Sequence, residues 1–156
     1  MGDHVKFKHP FTCIVAGPTG SGKRNFVIKL LQKLESLCTE SLFEGGIIWC
    51  YSEETAVPKQ QLSKLRLNIT YQEGLPETYG NAEGEPSFVI LDDLLQQVYS
   101  KNVCDLFTKG SHRRNISVLL LTQNILHQAA HSRDISPNAK YLVLFKTSET
   151  RISLPS

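Results

Sequence analysis

The heptapeptide Gly17-Pro18-Thr19-Gly20-Ser21-Gly22-Lys23 constrains this chain more than any other feature. It follows a compact β-branched run, TCIVAG (12–17), and precedes a segment in which Phe26, Val27, Leu30, Leu31 and Leu34 recur at helical spacing. Strand, glycine-rich loop and helix in that order match G-x-x-x-x-G-K in the context its mechanism requires. Glycines let the backbone curl until successive N–H groups point inward at phosphate oxygens. The helix N-terminus adds positive potential, and Lys23 reaches the β- and γ-phosphates. The competing reading is an ordinary turn before a helix with an exposed lysine, and the agreement of motif, strand and helix argues against it.

The remaining pattern predicts what such a loop would be built on. IIWCYS (47–52), FVILDD (88–93), SVLLLTQN (117–124) and YLVLFK (141–146) are continuous apolar runs, the signature of strands covered on both faces. NITYQ (68–72) fits a short edge strand, and residues 74–86 read as a glycine- and proline-rich surface loop. Helical pattern covers Lys23 to Cys38, Leu94 to Phe107 and a segment around Ile125 to Ala130. Strands alternating with helices predict an α/β fold, a P-loop NTPase three-layer sandwich with a mostly parallel sheet of about five strands. The 156 residues hold one domain, 1–156, with no repeat and no dividing linker.

Composition excludes little. A formal net charge of +2 neither demands nor forbids a nucleic-acid partner. Cys13, Cys38, Cys50 and Cys104 lie far apart with no C-x-x-C pair, which predicts core thiols in a reducing compartment. The N-terminus carries no apolar signal region, and no apolar run approaches the ~18 residues that cross a bilayer, so the expectation is an intracellular protein without a membrane partner.

Two features bear on catalysis. The residue after the loop lysine is ordinarily Ser or Thr, whose hydroxyl coordinates the magnesium riding on the phosphates, and here it is Arg24. A guanidinium has five donors and no lone pair for a metal, although it can contact phosphate itself. Asn25 has a carbonyl oxygen but lies one position further round the helix. FVILDD delivers Asp92 and Asp93 to the C-terminal end of a strand, where open α/β sheets bind ligands. The first acid suits magnesium and the second the attacking water. Capping of the following helix, LLQQVYS, is the alternative use of both.

Three blocks, HPFTCIVAGPTGSGK, FVILDDLL, and LFTKGSHRRNISVLLLTQNILHQ with NAKYLVLFK, resemble the genome-packaging ATPases of the FtsK/HerA branch. The resemblance is to those of poxvirus-like viruses and of Polinton/Maverick and adintovirus elements. It runs over roughly residues 8–147, and TKGSHRRN before a strand ending in TQN is its most specific part. It implies a ring-forming homo-oligomeric motor that uses ATP and Mg2+ to drive double-stranded DNA into a capsid, with capsid proteins as partners. The host nucleus or a viral assembly site, with association with the virion, is the implied location. Lys23 and the Gly17–Gly22 loop then hold the triphosphate, Asp92 serves magnesium, Asp93 activates water, and Gln123 senses the γ-phosphate. Arg113 and Arg114 are candidate arginine fingers for the next subunit, with a solvated loop or a DNA phosphate contact as the alternative.

The chain departs from that family at Arg24, a change one base can make, and at its ending. It stops at RISLPS where relatives are expected to continue, as a C-terminally truncated or altered copy would. The second function class is therefore a nucleotide-binding or assembly subunit that does not hydrolyse ATP, or a decayed endogenous copy. A nucleotide kinase lacks support because no arginine-rich lid segment follows the acidic strand, and a GTPase because no N-K-x-D reader is present. His127 and His131, in HQAAH, stand at zinc-binding spacing, but Gln128 takes the place of the essential base.

Overall fold

The computed structural model describes residues 6–80, 83–94, 101–123 and 138–146. The apolar runs become strands β1 (Thr12–Ala16), β2 (Ile47–Tyr51), β3 (Ile69–Glu73), β4 (Ser87–Asp92), β5 (Ile116–Thr122) and β6 (Tyr141–Leu144). They form one six-stranded sheet in the order β3-β2-β4-β5-β1-β6. Every neighbouring pair is parallel. The central strands β1, β4 and β5 are buried at every residue, as continuous apolar runs require, whereas β3 and β6 alternate and lie at the edges. The sixth strand relative to the expected five or so is β3, the segment read as an edge strand.

Alternate side chains of the sheet feed two separate cores, which makes the molecule three-layered. On one face Val15, Trp49, Ile90 and Leu121 pack against Val27, Leu30 and Leu31 of helix α1 (Lys23–Gln32), Leu34 of α2 (Leu34–Leu37) and Leu62 of α3 (Lys59–Ser63). On the other, Ile14, Val89, Leu91 and Leu120 meet Val103, Cys104, Leu106 and Phe107. Those four belong to α4 (Lys101–Asp105) and the π-helical turn Leu106–Gly110, which leads into α5 (Ser111–Arg114). All four cysteines lie outside any disulfide and are buried in these cores, and burial pushes the thiols of Cys13, Cys38 and Cys50 up to about 12, 11 and 12.

Some helix boundaries differ from the pattern. The expected helix 23–38 breaks at Lys33 (φ −122°, ψ 38°), and its last turn is claimed by the N-terminal lead. Phe7 N–H donates to Leu37 O at 2.7 Å, and Thr39 N–H returns to Phe7 O at 2.9 Å. The helix expected to end at Phe107 continues through the π turn to Arg114. The close approach there needs a glycine, since a Cβ on Gly110 would lie 2.9 Å from Asp105 O. Asn115 then ends α5 in the left-handed conformation (φ 60°, ψ 47°), one of the few non-glycine residues suited to that position. The helical segment expected around 125–130, with His127 and His131, lies outside the described residues. Among the described residues no helix is long and apolar enough to cross a membrane.

Candidate nucleotide-binding site

Strand order assembles the site. Because β5 lies between β1 and β4, the three strands deliver the phosphate loop, Gln123 and the two acids side by side at one sheet edge. A cleft of about 530 Å³ opens there, lined by Thr19, Gly22, Lys23, Arg24, Asp92, Asp93 and Gln123 among others. The sequence-predicted loop, acids and sensor thus converge on one place.

The loop is held by steric closeness as well as by hydrogen bonds. Gly17 N–H donates to Thr122 O at 3.1 Å, and Ser21 N–H to Pro18 O at 3.1 Å. A Cβ at Gly17 would stand 2.7 Å from Cβ of Phe145 and 2.8 Å from Oγ of Ser21, so no larger residue fits. Phe145 follows β6, donates its N–H to Ala16 O at 2.8 Å, and stacks edge-on against Phe26 of α1 with ring centroids 6.0 Å apart. Gly22 adopts φ 105° at the start of α1, a conformation that costs a side-chain-bearing residue ~1 kcal/mol or more. Lys23 folds back over the loop, its Nζ donating to Gly17 O and, at 3.5 Å, to Pro18 O. Burial lowers the Lys23 pKa, Asp93 pulls it back up, Arg24 lowers it, and Asp92 raises it. Gln123 Nε2 donates to Thr19 Oγ1 at 2.9 Å, which ties the end of β5 to the loop.

The acids are unequal. Asp92 is 1% exposed and fully engaged. Its Oδ2 accepts from Arg24 Nε at 2.9 Å and from Trp49 Nε1 at 3.0 Å, and its Oδ1 accepts from Arg24 Nη2 at 3.1 Å. The two-pronged contact is the geometry in which guanidinium and carboxylate match best. Trp49 reaches Asp92 because it pairs with Ile90 across β2 and β4, and Ile90 and Asp92 share a face. Asp93 differs. It sits at φ 59°, donates its backbone N–H to Leu121 O at 3.1 Å, and buries an Oδ1 that has no hydrogen-bond partner among the described residues. Ser21 Oγ in the loop also lacks a partner among the described residues, as does Thr122 Oγ1, on the face of β5 that carries Leu120. The unpartnered Asp93 oxygen lines the cleft, where a polar ligand would satisfy it.

The donors do not fit a magnesium ion of the usual kind. The hydroxyl ligand is missing because residue 24 is arginine, and the carboxylate expected to serve the metal, Asp92, already has both oxygens committed to that arginine. A cation is present at Asp92, and it belongs to the chain.

Arg113 and Arg114 are exposed on α5, which precedes β5, while Gln123 follows β5. Seven strand residues at about 3.3 Å each separate the two ends, roughly 20 Å. Within one chain, neither arginine belongs to the cleft. Sequence reasoning missed Trp49 and Phe145, which read only as strand residues, since no local signal says which strands become neighbours.

No family model matches the chain, and no curated protein matches it significantly. Solved structures do match. The cytoplasmic domain of EssC aligns with TM-score 0.60 at 11% identity, over 89% of this chain and 31% of that one. EccC of Thermomonospora curvata (ATPases 2 and 3), in complex with a signal sequence peptide, aligns with TM-score 0.53 at 12% identity, over 94% and 32%. The genome packaging NTPase B204 of Sulfolobus turreted icosahedral virus 2, in complex with ATP-gammaS, aligns with TM-score 0.53 at 9% identity, over 86% and 74%. The chain spans about a third of the length of the first two. Sheet topology, phosphate loop and these neighbours together establish that the chain has the α/β fold of the P-loop NTPases.

Proposed function

We propose that this chain is the ATP-binding domain of a ring-forming motor of the FtsK/HerA type, which couples ATP hydrolysis to the packaging of double-stranded DNA into a viral capsid. The observation that carries the reading is the convergence of Lys23, Asp93 and Gln123 on the cleft at the end of β1, with the buried Oδ1 of Asp93 lacking a partner among the described residues. Likeness in fold to a viral genome packaging NTPase supports the packaging role, as does the TKGSHRRN block.

In this reading the N–H groups of Gly17 to Gly22 and the Lys23 ammonium hold the triphosphate. Lys23 exchanges its contacts to the loop carbonyls for phosphate oxygens, a swap that its partial burial strengthens. The unpartnered Asp93 carboxylate oxygen accepts a proton from the attacking water, and Gln123 reports the γ-phosphate to the Thr19 side of the loop. Arg113 or Arg114 acts on the site of the adjacent subunit, since neither belongs to its own cleft. Double-stranded DNA, the homo-oligomeric ring and capsid proteins are the partners, at a viral assembly site or in the host nucleus.

A second reading, a nucleotide-binding assembly subunit without turnover, is favoured by the Arg24–Asp92 pair. Steady-state ATP hydrolysis with and without double-stranded DNA separates the two. DNA-stimulated turnover by the unmodified chain supports the motor. Turnover that appears only in Arg24→Ser supports the assembly subunit, and its absence in both proteins despite ATP binding removes the motor reading.

A further inference from the structure

We infer that Arg24 is a built-in counter-cation, so that this chain binds ATP tightly without magnesium. The inference rests on the ATP-binding part of the proposed function and is independent of whether the nucleotide is then hydrolysed.

In a phosphate loop that uses magnesium, the metal does two jobs at this position. It neutralises the acid at the end of the strand, and it screens the β- and γ-phosphate charges. Arg24 covers both from the protein side. Its Nε and Nη2 hold the Asp92 carboxylate at 2.9 and 3.1 Å, so the buried acid needs no further cation. The side chain is 36% exposed, and Arg24 lines the cleft beside Lys23 and Gly22. A guanidinium carries five N–H donors, and the two facing Asp92 leave others for phosphate oxygens. The indole of Trp49, donating to Asp92 Oδ2 at 3.0 Å, fixes the carboxylate from the opposite strand and so holds Arg24 in place. Asp92 is thereby removed from the set of free anions that would repel a triphosphate arriving without its metal. With Arg24 and Asp92 neutralising each other, Lys23 supplies the positive charge at the mouth of the loop, and the remaining guanidinium N–H groups supply hydrogen bonds to the phosphates.

The experiment is a titration of the full chain with a fluorescent N-methylanthraniloyl ATP, once in excess EDTA and once in excess magnesium chloride. Lys23→Ala, Arg24→Ser and Trp49→Phe are run beside it, and circular dichroism confirms folding of each. The expected result is a dissociation constant that differs by less than about threefold between EDTA and magnesium for the unmodified chain. For Arg24→Ser, magnesium is expected to tighten binding by about tenfold or more, because the hydroxyl ligand returns and Asp92 is released. A tenfold or larger magnesium effect on the unmodified chain would overturn the inference while leaving ATP binding intact. Absence of ATP binding under both conditions in a folded chain would instead remove the ATP-binding reading itself, and with it the inference. The EDTA comparison on the unmodified chain decides the matter even where Arg24→Ser fails to fold. Trp49→Phe, which keeps Arg24 but loosens its partner, is expected to regain an intermediate magnesium dependence.

Discussion

Arg24 and Asp92 face each other across α1 and β4 as a two-pronged ion pair, with the carboxylate 1% exposed and a tryptophan indole as its third donor. Breaking such a pair from the arginine side leaves a buried carboxylate with one donor. Arg24→Ala is therefore expected to lower stability by about 3 kcal/mol, while the double variant Arg24→Ala/Asp92→Leu recovers most of that loss. Chemical denaturation of the two proteins measures it. An equal loss in both would mean that the pair is not what couples these positions.

Trp49→Phe keeps an aromatic ring in the core, smaller than the indole, and deletes one hydrogen bond to a charged acceptor. The expected cost is about 1.5–3 kcal/mol, read as a lower midpoint of denaturation with an unchanged slope. A neutral result would show that the indole contact at 3.0 Å adds nothing to stability.

Gly17→Ala tests how closely the chain after β6 presses on the loop. The new methyl would meet Phe145 Cβ at 2.7 Å, and both partners are held by backbone pairing to Ala16 and Thr122. Overpacking of this kind costs about 1–3 kcal/mol, and the displaced loop is expected to lose nucleotide affinity as well. Adding Phe145→Gly, which removes that Cβ, should restore stability in part, with Ser21 Oγ still 2.8 Å from the new methyl.

If Arg113 or Arg114 serves a neighbouring subunit, its replacement by Ala should lower turnover of the assembled protein by about 10³-fold or more. ATP affinity at concentrations too dilute for assembly should change by less than about twofold, since sites this far apart act independently. Turnover is measured in whichever background hydrolyses, the unmodified chain or Arg24→Ser. Loss of affinity in the dilute chain would place the arginine at its own site, against the roughly 20 Å that β5 puts between them.

His9 offers a pH test remote from the cleft. Its Nδ1 lies 2.6 Å from Ser117 Oγ and its Nε2 2.9 Å from Asn115 Oδ1. Burial lowers its pKa from 6.5, and the contacts with Asn115 and the charge of Glu40 oppose that only in part. The unfolded chain therefore binds the proton more readily. Stability is complete above about pH 6.5 and is lost as pH falls below it. Thermal melts between pH 7.5 and 5.5 should show a decline that His9→Gln flattens.

The phosphate loop, the acids Asp92 and Asp93 and the strand ending at Gln123 were legible because each is a local pattern. A glycine spacing, an apolar run and its terminal residue are properties of a few consecutive positions, and a parallel sheet gathers the ends of such runs at one edge whatever their order. The replacement of a magnesium-binding hydroxyl by Arg24 was legible for the same reason. What that arginine does instead was not. Its partner is 68 residues away, and the third member, Trp49, reaches the same carboxylate from a strand whose neighbour is fixed only by the order β2-β4-β5-β1. Phe145 over Gly17 is of the same kind, a contact between chain segments more than a hundred residues apart. Local chemistry determined which groups the chain carries to the sheet edge. Long-range pairing, which depends on the sum of all the burial choices, decided that the cation meeting Asp92 is a side chain of the protein.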